Sequence, residues 1–128
     1  MLAMPVMFQQ RLYKVQLIDY TKRGRHVPKD QYSSTSLKSA VTEANRLAEW
    51  FRQRGYIVTR DNKYKYEVPD AVLPYMVYDY TNREQNWRKG LGRGTFSEAK
   101  DAYRIQIVDN NNEPVEILFL RGILSVNK

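Results

Sequence analysis

Two stretches of this chain set arginine and lysine beside glycine, the combination that lets backbone amides approach a phosphate while side chains supply charge. The first carries Lys22, Arg23, Gly24, Arg25 and Lys29; the second carries Arg83, Arg88, Lys89, Gly90, Gly92, Arg93 and Gly94, with Trp87 among them. Phosphate contacts dominate nucleic-acid affinity, so Lys22, Arg23, Arg25, Lys29, Arg83, Arg88, Lys89 and Arg93 are the candidate backbone-binding residues. Trp87, between Asn86 and Arg88 in a polar segment, is the candidate for stacking on a base. Neither stretch is built for nucleotide hydrolysis. A Walker loop needs Lys and then Ser or Thr after its last Gly, and here Thr95 follows Gly94 directly.

Other constellations that could do chemistry are sparse. His26 is the single histidine and there is no cysteine, so any Ser/His system must run through one residue of a basic loop, and disulfides and thiolate metal sites are excluded. The expectation is a non-enzymatic protein without metal or cofactor. One carboxylate pattern stands apart: Pro69-Asp70 with Glu98-Ala99-Lys100 resembles the bare spacing of PD-(D/E)xK nucleases. That resemblance implies acidic groups holding a divalent metal and a lysine aiding attack on a phosphodiester. Those nucleases carry the Glu and Lys on a strand, whereas Glu98 and Lys100 fall in a segment with the pattern of a short helix. Ser36-Leu37-Lys38-Ser39 through Glu43-Ala44 resembles the helix entry of integrase arm-binding domains. Gly94-Thr95-Phe96-Ser97-Glu98-Ala99 through Ala102-Tyr103 is similar to the same entry in domains whose three-stranded sheet reads the DNA major groove.

A net charge of +7, from 21 basic and 14 acidic side chains, favours a polyanionic partner such as DNA or RNA. The surplus is uneven: residues 1–35 carry six basic and two acidic groups, whereas residues 95–128 carry four and five, so it concentrates with the basic loops. The alternative is a protein-interaction or oligomerising module, of the kind that mobile elements and phages encode, docking on an acidic protein surface. Met76, Tyr78, Trp87 or residues 123–126 would then supply an exposed apolar patch, and a homodimer formed through that tail would favour this alternative. No run approaches the ~20 apolar residues of a membrane span, so no membrane partner is expected and the simple location is cytoplasmic.

These residues must be held by something, and the apolar pattern says what. Leu37, Ala40, Val41, Ala44, Leu47, Ala48 and Phe51 fall on one face at helical spacing and predict a helix over about 36–54, with Ser36 or a neighbour capping its start and Gly55 ending it. Strands are predicted over 11–19, 56–60, 63–68, 76–79, 105–108 and 115–120, with an Asp61-Asn62 turn, a closing hairpin around 110–112 and a loop over 22–32. A second, short helix is predicted over about 96–103. The fold class is therefore α+β: a mostly antiparallel sheet of about five to seven strands under one long helix. With 128 residues, one domain over 1–128 is expected, loose at 1–8 and 127–128. Asp19-Tyr20-Thr21 recurs as Asp79-Tyr80-Thr81, and the order strand, basic loop, helix, hairpin after each suggests a pseudo-repeat over 11–68 and 75–120.

Overall fold

The computed structural model describes residues 10–64, 67–79 and 100–124. Five strands, β1 (Tyr13–Asp19), β2 (Lys29–Ser34), β3 (Ile57–Arg60), β4 (Tyr75–Asp79) and β5 (Lys100–Asp109), form one antiparallel sheet in the order β2-β1-β5-β4-β3. A long helix, α1 (Leu37–Gln53), lies between β2 and β3 in the chain, and a short helix, α2 (Val115–Leu120), follows β5. The chain is thus α+β, with one long helix on a five-stranded sheet.

The apolar stripe of α1 explains the layering. Ala40, Ala44, Ala48 and Phe51 are buried in one cluster with Tyr13 and Val15 of β1, Tyr75 and Val77 of β4, and Ile105 and Ile107 of β5. Small residues on the helix let its backbone approach the sheet, while the large side chains come from alternate positions of the strands, which point to one face. Ser36 caps α1 by accepting from the Ser39 amide at 3.1 Å. Gly55, at φ +90°, takes the left-handed conformation that turns the chain toward β3.

The opposite face of the sheet carries polar side chains in a row. Gln16 Nε2 donates to Asp30 at 2.8 Å, Gln106 Nε2 donates to Gln16 at 2.9 Å, Arg104 Nε donates to Gln106 at 3.3 Å, and Arg104 also reaches Asp61 at 2.7 Å. The row runs from β2 across β1 and β5 to the residue after β3, and among the described residues no buried side-chain donor or acceptor lacks a partner.

Several elements differ from the sequence pattern. The segment 63–68, whose alternation predicts a strand, is not one in its described part: Asp61 N donates to Pro74 O at 2.9 Å, Tyr64 N to Asn62 Oδ1 at 3.1 Å, and Glu67 N to Tyr64 O at 3.1 Å. Val68 goes into the core instead, followed by a 3₁₀ turn at Asp70–Val72. Residues 29–32 are the first part of edge strand β2, not loop. The short helix does not lie at 96–103: residues 100–103 open β5, and 96–99 are outside the described residues. The short helix is instead Val115–Leu120, where an apolar run predicts a strand, so the expected reversal around 110–112 closes with a single antiparallel bridge, Val108 to Pro114, and not with a second strand. Much of the second copy of the pseudo-repeat expected over 11–68 and 75–120, residues 80–99, lies outside the described residues. The two Asp-Tyr-Thr segments still begin at matching places, because Asp19 ends β1 and Asp79 ends β4 on either side of β5.

Candidate nucleic-acid interface

The antiparallel register fixes which ends meet. Asp19 lies opposite Tyr103, Lys29 opposite Leu17, Asp79 opposite Lys100, and Ile57 opposite Tyr78. The ends of β1 and β4, the starts of β2, β3 and β5, and so the entry and exit points of both Gly-containing basic segments, gather at one end of the sheet. Lys22, Arg23, Arg25 and Lys29 belong to the first segment and are described. Arg83, Trp87, Arg88, Lys89 and Arg93 lie outside the described residues, and only their anchors, Asp79 and Lys100, are placed.

Residues 20–28 are held by local bonds at their base. Asp19 Oδ1 accepts from the Thr21 amide at 2.8 Å and from the Thr21 hydroxyl. Those bonds, the hydroxyl first, together with Lys22 and Lys29 nearby, hold the Asp19 carboxyl below its ordinary range despite some desolvation. His26 Nε2 donates to the Lys22 carbonyl at 3.0 Å, and its ring meets Tyr20 edge-on at 5.1 Å. Gly24, at φ +100°, makes the bend between them. The result leaves Lys22, Arg23 and Arg25 exposed on a pinned bend, with Lys29 exposed at its foot.

The cations divide by position. Away from the loop-bearing end every described arginine is engaged. Arg11 pairs with Asp109 at 3.1 Å, Arg104 with Asp61 at 2.7 Å and Arg121 with Glu113 at 2.9 Å, while Arg60 donates to the Leu73 carbonyl at 2.9 Å and covers the Tyr75 ring. On α1, Arg46 pairs with Glu43, and Arg52 with Glu49 at 3.4 Å. Of the described lysines there, Lys14 donates to Asn112 at 2.9 Å, and Lys38 and Lys63 are exposed without an ion-pair partner among the described residues. At the loop-bearing end, Lys22, Arg23, Arg25, Lys29, Arg54 and Lys100 are all exposed, and none has an acidic side chain at ion-pair distance among the described residues.

The same end collects aromatic rings. Phe51 packs against Tyr103 at 4.7 Å and Tyr56 at 5.4 Å between ring centres, and meets Trp50 edge-on at 5.1 Å. Burial, then the neighbouring Tyr56 and Asp19, raise the Tyr103 phenol above its ordinary value, and the strand register sets Tyr103 opposite Asp19 at the root of the basic loop. Trp50 is 42% exposed, and the Arg54 guanidinium lies 3.6 Å over its ring. Sequence reading missed this pair. Its signal is a tryptophan off the apolar stripe of a helix, with an arginine four residues later on the same face.

For the nuclease-like pattern, Asp70 opens the 3₁₀ turn and Lys100 opens β5, while Glu98 is outside the described residues. The finding for Lys100 corrects its placement in a helix. The same strand removes the similarity to a helix entry at Ala102-Tyr103. Among the described residues no three His, Cys, Asp or Glu side chains converge as a metal site would need, and no helix is long and apolar enough to cross a membrane. No family model, curated protein or solved structure matches the chain.

Proposed function

We propose that the chain is a small, non-enzymatic nucleic-acid-binding module that grips the sugar–phosphate backbone with the loop-bearing end of its sheet. One observation carries the reading: every other described arginine makes a hydrogen bond or ion pair, whereas Arg23 and Arg25 make none among the described residues and stand exposed beside Lys22 and Lys29 at the end of the sheet that also bears Lys100. An ion pair already formed must be broken before its cation can serve a phosphate; an unpaired one releases only water and counterions. The net charge of +7 supports the same partner class through long-range attraction. The pinned bend supports it too, because a loop held by Asp19 and His26 loses less freedom on binding.

Charge reversal tests the reading. With a labelled DNA or RNA oligonucleotide, affinity should fall steeply with salt, and Lys22→Glu with Arg23→Glu should weaken binding for every sequence. The same pair of substitutions should flatten the plot of log affinity against log salt by roughly 0.7–0.9 for each phosphate no longer neutralised. No DNA or RNA binding at low salt would overturn the reading and favour an acidic protein surface as the partner.

A further inference from the structure

We infer that the Trp50–Arg54 pair is a stacking site for an unpaired nucleobase, so that the strand gripped at this end of the sheet is single-stranded. The inference rests on the nucleic-acid reading above and names the form of its ligand. Trp50 lies beside, not within, the buried stripe of Ala40, Ala44, Ala48 and Phe51, and it stays 42% exposed. Its ring is nevertheless fixed. Phe51 meets it edge-on with the planes 85° apart, and the Arg54 guanidinium covers one face at 3.6 Å. Arg54 is itself fixed, because its Nη1 donates to the Trp50 carbonyl at 3.0 Å. Two planar groups are thus layered before any ligand arrives, one of them carrying a positive charge with no acidic partner among the described residues.

Such a layer matches a base in two ways. An aromatic ring and a guanidinium plane both offer a surface on which a base stacks, and the charge favours the adjoining phosphate. Its location matches as well. Trp50 touches Phe51, Phe51 touches Tyr103 at 4.7 Å, and Tyr103 lies opposite Asp19, at the root of the basic loop, where the Tyr20 amide donates to the Ala102 carbonyl at 2.9 Å. Base stacking and phosphate binding would therefore fall along one strand. A duplex hides its base faces within its own stack and offers only phosphates and groove edges, so it would use the loop cations and not Trp50.

The experiment compares oligo(dT) of about a dozen nucleotides with a duplex of equal length by fluorescence anisotropy. Trp50→Ala should weaken oligo(dT) binding about tenfold and leave duplex binding within about twofold, with Trp50→Phe restoring most of the loss. In a Trp87→Phe background, where Trp50 is the remaining tryptophan, its fluorescence should be quenched by oligo(dT) and not by the duplex. A Trp50→Ala chain that binds oligo(dT) as the parent does, or loses single- and double-strand binding equally, overturns the stacking site while leaving the nucleic-acid reading intact. Failure of both nucleic acids to bind the parent chain overturns that reading, and the stacking site with it.

Discussion

Two buried carboxylates have opposite relations to their surroundings, and single substitutions should separate them. Asp109 is 2% exposed, yet its Oδ1 accepts from the amides of Asn111 at 2.8 Å and Glu113 at 2.9 Å, and its Oδ2 from Arg11 at 3.1 Å. Asp109→Ala strands those donors and should cost about 2 kcal/mol in urea unfolding, whereas Asp109→Asn keeps an oxygen for the two amides and should cost less. Glu116 is 4% exposed, and burial raises its carboxyl above the ordinary value against the opposing pull of its hydrogen bond and of Arg104. A raised folded-state value means the folded chain binds the proton more tightly than the unfolded chain. Its charged form therefore opposes folding above the unfolded value, and this penalty fades as pH falls toward about 4. Glu116→Gln should be more stable than the parent at pH 7, with the difference shrinking in acid; chemical unfolding at both pH values reads the sign directly. Asp19 runs the other way, since its lowered value adds stability that disappears as acid protonates it.

The elements differ in how far local sequence dictates them. Ser36→Ala removes the acceptor for the Ser39 amide and should cost α1 about 1 kcal/mol, while Gly55→Ala should cost a similar amount because φ +90° strains any side chain; thermal or urea midpoints measure both. This helix was legible because Ala40, Ala44, Ala48 and Phe51 repeat at its own period, and β1, β3 and β4 were legible from their β-branched and aromatic content. Val115–Leu120 was not. A six-residue run with five apolar side chains has no period to read, and its helix is set by what surrounds it: Pro114 at its start and burial of Val115, Glu116 and Leu118. β2 was illegible for the opposite reason, since Lys29–Ser34 is polar and exposed, and it is a strand because β1 offers it a ladder. Residues 63–68 alternate like a strand, but Val68 is drawn into the core and the Asn62 side chain stops the run. Of the candidate site, the loop cations were visible as charge beside glycine. Trp50 and Arg54 were hidden because a helical wheel that looks for a core ignores what lies beside it.

At the scale of the molecule, the division between engaged and unpaired cations makes salt the natural variable. Stability should respond weakly to ionic strength, because the exposed α1 pairs contribute little and the Arg104–Asp61 pair is largely shielded from solvent. Oligonucleotide binding, on the function proposed above, should respond strongly, because exposed loop cations would act on phosphates through attraction that salt screens. Running the two measurements on one sample between about 50 and 200 mM salt separates these effects, and parallel loss of stability and binding would mean that the loop cations also support the fold.

The strand order has a consequence for how the molecule can be taken apart. β5 sits between β1 and β4, so the two halves of the chain are laced together rather than laid side by side. A cut anywhere between residues 61 and 74 leaves a front piece with the β1–β2 hairpin and α1 but with β3 stripped of β4, the strand it pairs with. It leaves a back piece in which β4 and β5 have each lost an outer neighbour. Neither piece owns a whole sheet, yet every missing neighbour of one is present in the other. Two separately made fragments should therefore be unfolded alone and assemble on mixing, and the loop-bearing end would exist only in the reassembled pair.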